Sequence, residues 1–214
     1  MLKQEQEYQE LYGDIPKDYL GRLDYILSQV KSGKSVKGKL ISKIDTIRNI
    51  KWETLSYTIY LVPKATPRPR TSFRNHFYVS GASDNKKLFK KFYKQNEAYY
   101  KMIVTPCTFT CVSYLPIPKS MKMYEQVLAE LGFIRPISKP DFDNLAKTYT
   151  DMIQGTLLYD DSLIIEGASK KYYSVKPRIE ITISYMTDFD SEYNRKKVMP
   201  KVQELAKSKG LFIE

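Results

Sequence analysis

Histidine is almost missing from this chain: its 214 residues include one, His76. Ser-His-Asp and Cys-His catalysis would both have to run through that residue, between Asn75 and Phe77 in a stretch that reads as a strand, and neither is attractive. Cysteine is nearly as scarce. Cys107 and Cys111, four apart on an extended strand, point to one face and lie too far apart to bridge each other, so buried reduced thiols are expected. With a single histidine and no cysteine pair at ligand spacing, structural zinc is not expected. The chain contains neither GxxxxGK[ST] nor GxGxxG, which removes the common nucleotide-phosphate cradles, and no small-molecule cofactor is expected. No run approaches the roughly 18 consecutive apolar residues of a membrane span. Met1-Leu2-Lys3-Gln4-Glu5-Gln6-Glu7 lacks the charged and then apolar layout of a signal peptide, so a cytoplasmic location without a membrane partner is expected. Carboxylates, lysines and arginines remain for chemistry.

Those charges are distributed unevenly. The chain carries a formal net charge of +11, the electrostatic footprint of a nucleic-acid binder. Residues 55–119 supply +9 of it, with eleven Lys and Arg against Asp84 and Glu97. Within this third, Pro63-Lys64-Ala65-Thr66-Pro67-Arg68-Pro69-Arg70 is a proline-stiffened basic loop, Arg74 follows, and Lys86, Lys87, Lys90, Lys91 and Lys94 recur at helical spacing. A lysine run alone is commonly a solvated helix face. Joined to the Arg-Pro-Arg loop and several tyrosines, it reads as a phosphate-contacting surface. Against this background, Lys139 to Glu166 holds six acidic side chains and two lysines, a local net charge of −4.

At 42% hydrophobic residues the chain can bury a core, and its pattern indicates an α+β class with a mixed sheet packed with helices. Leu20, Leu23, Ile26, Leu27 and Val30 form one helical stripe over 17–30, and Leu40, Ile41, Ile44, Ile47 and Ile50 form another over 40–50, with Lys31 to Lys39 as a flexible connector. This predicts an N-terminal helical hairpin, residues 1–54. The main domain, residues 55–186, is expected to hold strands at Leu55–Val62, His76–Ser80 and Cys107–Leu115, and helices at Asp84–Met102, Met121–Leu131 and Asp143–Ile153. Lys170–Ser174 and Arg178–Met186 read as a closing antiparallel hairpin. A tail, residues 187–214, carries a last helix between Pro200 and Gly210.

On that scaffold Asp141 and Asp143 flank the point where a segment held extended by Pro140 turns into a helix, so they can project to one side and grip one ion. Lys147 and Asp151 follow along the same helix. Asp160-Asp161 could fold back to complete a carboxylate cluster. Two carboxylates 4 Å apart repel by about 4 kcal/mol at an effective dielectric of 20, so the cluster calls for a cation, and Mg²⁺ suits a few carboxylates plus a substrate phosphate. Each signal has a plainer reading: Asp141 or Asp143 as an N-cap, Asp160-Asp161 as a turn. A DxD also occurs in metal-dependent transferases acting on nucleotide sugars, and the basic third could belong to a DNA-binding module without catalysis.

The run KPDFDNLAKTYTDMIQGTLLYDD at 139–161, with PKATPRPR upstream and KPRIEITI downstream, resembles the RusA family of Holliday junction resolvases of bacteria, prophages and phages. The likeness extends over about residues 55–186, so residues 1–54 and the tail inherit no role from it. It implies a RusA-like nuclease domain acting as a homodimer that binds four-way DNA junctions and nicks two opposing strands with Mg²⁺, in recombination and repair; Mn²⁺ is the alternative ion. Carried over position by position, it makes Asp141, Asp143 and Asp161 the essential carboxylates and Lys147 the catalytic lysine. Asp160 joins them as a further metal-side carboxylate, and Asp151 matches an acidic position without an assigned role. The DNA-contacting set is then Lys64, Arg68, Arg70, Arg74, Lys86, Lys87, Lys90, Lys91, Lys94 and Lys139.

Overall fold

No proline interrupts residues 17–62, and in the computed structural model that stretch carries two helices and a strand. The structure describes residues 18–29, 33–65, 70–72, 75–77, 87, 89, 102–188, 196, 199–201 and 203–204. The chain divides into two units, residues 1–50 and 51–214.

In the first unit, Asp18 starts helix α1 (Tyr19–Gln29), its Oδ1 accepting from the Gly21 N–H at 2.7 Å. Helix α2 (Gly33–Arg48) is tied to it by the Lys37–Asp24 ion pair. The connector expected at 31–39 is therefore mostly helix. Gly33 and Gly38 read as breakers, yet glycine inside a helix costs only about 1 kcal/mol relative to alanine, too little to stop a proline-free segment. Leu27 is buried, whereas Leu20 and Ile26 of the same stripe are exposed.

The second unit is built on a mixed sheet of order β1-β6-β4-β5, with strands β1 (Trp52–Ile59), β4 (Cys107–Pro116), β5 (Ile164–Ser174) and β6 (Arg178–Met186). A separate antiparallel pair joins β2 (Arg70–Ser72) to β3 (Asn75–Phe77). Two helices lie between β4 and β5: α3 (Met123–Glu130) and α4 (Phe142–Ile153). Lys87 and Phe89 are helical, as are residues 199–201 and 203–204. The rest of the lysine-rich helix expected at 84–102 lies outside the described residues, except that Met102 is not helical. This is an α+β fold, and no helix among the described residues is long and apolar enough to cross a membrane.

Period-2 alternation puts Cys107, Phe109 and Cys111 of β4 and Ile179, Ile181 and Ile183 of β6 on one buried face, beside Tyr57 and Ile59 of β1. Helix α4 covers it with Leu145, Tyr149, Met152 and Ile153, a stripe at i, i+4, i+7 and i+8. The opposite face is lined by hydroxyls, with Thr54 Oγ1 and Ser184 Oγ 2.8 Å apart across β1 and β6. Both cysteines are free and buried; burial pushes the Cys107 thiol up to about 11 and the Cys111 thiol up to about 12.

Two expectations are corrected. Strands β5 and β6 are not a hairpin: β4 lies between them, parallel to β5 and antiparallel to β6. Their link, Val175-Lys176-Pro177, has none of the Gly, Asn or Asp residues that a tight hairpin turn demands, and it arches over the end of β4 instead. Strand β1 also starts and ends three residues early, because it pairs from Trp52↔Met186 to Ile59↔Ile179 and then leaves the sheet toward a buried Pro63.

Candidate metal and nucleic-acid site

Helix α4 organises the acidic motif. Asp141 occupies its N-cap in extended conformation, and its backbone carbonyl accepts the first helical bond from Leu145 N at 3.1 Å. Its carboxylate makes no capping bond, and among the described residues it takes a 3.4 Å contact from Asn144 Nδ2. The plain N-cap reading thus does not account for the side chain. Asp143 stands exposed in the first turn, where the helix dipole favours negative charge, and Lys147 is exposed one turn further on. Turning Leu145 and Tyr149 into the core is what turns Asp143 and Lys147 out of it.

The segment leading into the motif is fastened to the far end of β5. Lys171 Nζ donates to Ser138 O and to Pro140 O, each at 3.0 Å, and the Lys139–Pro140 peptide between them is cis. Lys139 itself is exposed.

Asp160 and Asp161 sit at the other end of α4. Asp160 caps a 3-10 turn, Asp161–Leu163: its Oδ1 accepts from Ser162 N at 3.0 Å and its Oδ2 from Gln154 Nε2 at 3.2 Å. Hydrogen bonds from the Ser162 side chain and backbone, with Gln154 adding to them, hold its carboxyl below the usual range. Gln154 is the C-cap of α4. A 12-residue helix therefore separates Asp160 from Asp141, roughly 18 Å at 1.5 Å per residue. Asp161 is exposed, beside Asp160. Among the described residues no three His, Cys, Asp or Glu side chains gather as an ion site. One chain thus carries Asp141, Asp143 and Lys147 on the first two turns of α4 and Asp160 and Asp161 beyond its far end. The Asp141–Asp143 pair still fits Mg²⁺, which commonly takes one or two carboxylates with water and substrate phosphate completing the shell.

The basic loop meets the same helix. Lys64 N donates to Tyr149 Oη at 3.1 Å, and the same hydroxyl donates to Lys64 O at 3.3 Å. Tyr149 is fully buried, and burial raises its pKa, keeping the phenol neutral and able to donate. Lys64 is exposed, as is Lys87. Arg70 lies in β2, while Arg68, Arg74, Lys86, Lys90, Lys91 and Lys94 lie outside the described residues. Sequence reasoning missed Tyr149, Gln154 and Lys171. The first and last act across 85 and 31 residues, where no local signal exists; Gln154 was within reach, six residues before the Asp it holds.

A sequence profile for the family described as "Endodeoxyribonuclease RusA" matches residues 61–184. The chain is also 31% identical over 136 residues to the uncharacterised protein YqaN of Bacillus subtilis (strain 168), an overlap covering 61% of this chain and 96% of that protein. The matched profile contains the basic loop at Lys64, all of α4, and Asp160-Asp161.

Proposed function

This chain belongs to the RusA endodeoxyribonuclease family, and from that membership we propose that it is a Mg²⁺-dependent endonuclease that resolves four-way DNA junctions by paired nicking, in recombination and repair. The observation that carries the proposal is the Asp141–Asp143 pair, both exposed at the start of α4, with no capping bond to the Asp141 carboxylate and with Lys147 one turn beyond Asp143. Asp141 and Asp143 would hold the ion, and the bound ion would supply an activated water and charge neutralisation at the scissile phosphate. Lys147 adds a cation on the same side of the helix, suited to the charge that grows on the phosphate oxygens. Lys64, fixed by its backbone to Tyr149, and the other basic residues of the loop orient the DNA backbone.

We further propose that the enzyme acts as a homodimer, cytoplasmic and with Mn²⁺ able to replace Mg²⁺. Two features support the dimer. The roughly 18 Å between the two ends of α4 means that a site using both carboxylate groups has to draw Asp161 from a second copy. Helix α3 also presents Tyr124, Val127, Leu128 and Leu131 to solvent at i, i+3, i+4 and i+7, with Phe133 and Ile137 exposed beyond them.

The test is cleavage of a labelled four-way junction beside a linear duplex of the same sequence, in Mg²⁺ or EDTA, by wild type and Asp143→Asn. Paired nicks in the junction alone, dependent on Mg²⁺ and lost in the variant, support the proposal. Tight junction binding without cleavage makes the chain a structural DNA-binding protein.

A further inference from the structure

We propose that Lys171 is a positioning residue, whose ammonium sets the backbone that presents Asp141 and Asp143. This rests on the reading of those two carboxylates as the metal-holding pair. Two carbonyls, of Ser138 and Pro140, converge on one Nζ at 3.0 Å each. Charge-assisted bonds of this kind are stronger than neutral ones, and bonding both sides of Lys139 fixes the dihedrals just ahead of the helix. Pro140 is the residue before Asp141, so its clamped carbonyl belongs to the peptide group that joins it to the acidic pair. Alternation along β5 makes the assignment specific: Lys171 is half-buried with its ammonium on the loop, while Lys170 points to the other face of the strand and is exposed.

The neighbouring residue fastens the same connector a second time. The Arg135 guanidinium lies 3.9 Å from the centre of the Tyr172 ring. Tyr172 stacks on Tyr114 at 5.6 Å, and Arg178 closes the row 3.6 Å from the Tyr114 ring. Gly132, at φ 80°, turns the chain out of α3 where a Cβ would lie 3.7 Å from Tyr172. Glu130 completes the attachment, its Oε2 accepting from Val175 N at 2.6 Å. The whole connector from α3 to α4 is thus docked along the end of β5, and Lys171 is the contact nearest the carboxylates.

The experiment compares Lys171→Met, Lys171→Arg and Lys170→Met with wild type in two assays. One is hydrogen exchange by mass spectrometry over residues 136–145 without metal. The other is junction cleavage, with kcat and junction Kd determined separately. Lys171→Met is expected to speed exchange at the start of α4 at least about tenfold and to lower kcat roughly 10- to 100-fold, the range for displacement of reacting groups by about 1 Å. Junction Kd should rise no more than in Lys170→Met, which removes the same charge, and Lys171→Arg should restore most of kcat. Should Lys171→Met not fold, Lys171→Gln against Lys171→Arg carries the same comparison. Exchange and kcat in Lys171→Met both within twofold of wild type would overturn the proposal, as would equal losses in Lys170→Met. If wild type cleaves no junction, the nuclease reading fails while the exchange assay still decides the clamp.

Discussion

Replacing Tyr149 by Phe removes one oxygen atom from the core and tests the junction between the basic loop and the acidic helix. That oxygen accepts from Lys64 N and donates to Lys64 O, so two hydrogen bonds disappear together. Each is worth about 0.5–1.5 kcal/mol net, and because both bonds are part-buried the freed Lys64 backbone groups reach water only in part, which places the loss near 1–3 kcal/mol. For a unit of this size each kcal/mol lowers Tm by roughly 2–4 °C. The ring itself stays in the core, so packing is kept. Freed from α4, the Lys64 backbone no longer holds that charge beside the helix, and the slope of log Kd against log salt should flatten by up to about one phosphate contact. Urea unfolding and a salt series of junction binding measure both effects. Cleavage at saturating DNA should stay within about threefold, since nothing at Asp141 or Asp143 is touched. Unchanged stability, within about 0.3 kcal/mol, together with an unchanged salt slope would refute the idea that this hydroxyl ties loop to helix.

Asp141→Asn and Asp143→Asn should each lower junction cleavage by roughly a hundredfold or more while leaving binding equal or tighter, since each removes a charge that repels DNA; the exposed Asp141 carboxylate makes no capping bond, so thermal melting should not move for Asp141→Asn. Gly38→Ala should stabilise α2 by about 0.5–1 kcal/mol, seen as a higher unfolding midpoint by circular dichroism, because nothing lies within 4 Å of the added Cβ. The buried thiols set an alkaline limit: folded pKa values near 11 for Cys107 and 12 for Cys111 lie above the unfolded value of about 8.5, so their contribution is complete below that pH and is lost as pH rises toward 11–12. Cys107→Ser/Cys111→Ser should flatten the stability profile between pH 9 and 11, and a slope equal to wild type would be evidence against it.

Elements whose side chains divide cleanly between core and solvent were readable in advance. In β4 every second residue from Cys107 to Leu115 is buried, and in α4 the four core residues fall on one stripe. Strand β5 defeated the same logic. Between Ile165 and Ala168 its residues are all exposed, so alternation is absent, and it holds its place at the sheet edge through backbone pairing with β4. Sequence reasoning saw only its last residues and joined them to β6. The helical start of α2 was lost for the opposite reason, since two glycines outweighed in the reading what they cost in the fold.

The carboxylates show how a motif can be legible while its geometry is not. DxDN followed by Lys147 announces itself by spacing within one helix, and the structure keeps those side chains on one element. Asp160-Asp161 looked equivalent, yet Asp160 is spent on Ser162 and Gln154, the turn-forming role that Asp-Asp-Ser permits. The distinction lies in what each oxygen accepts. Asp141 stands at a helix start without capping it, whereas Asp160 caps a turn and is held ionised by doing so. Helix α4 relates the two: Tyr149 ties the basic loop to its buried side, and Gln154 ties Asp160 to its end. Its 12-residue length, roughly 18 Å, keeps the two acidic groups at opposite ends of one rigid element, a separation that side-chain rotation alone does not close.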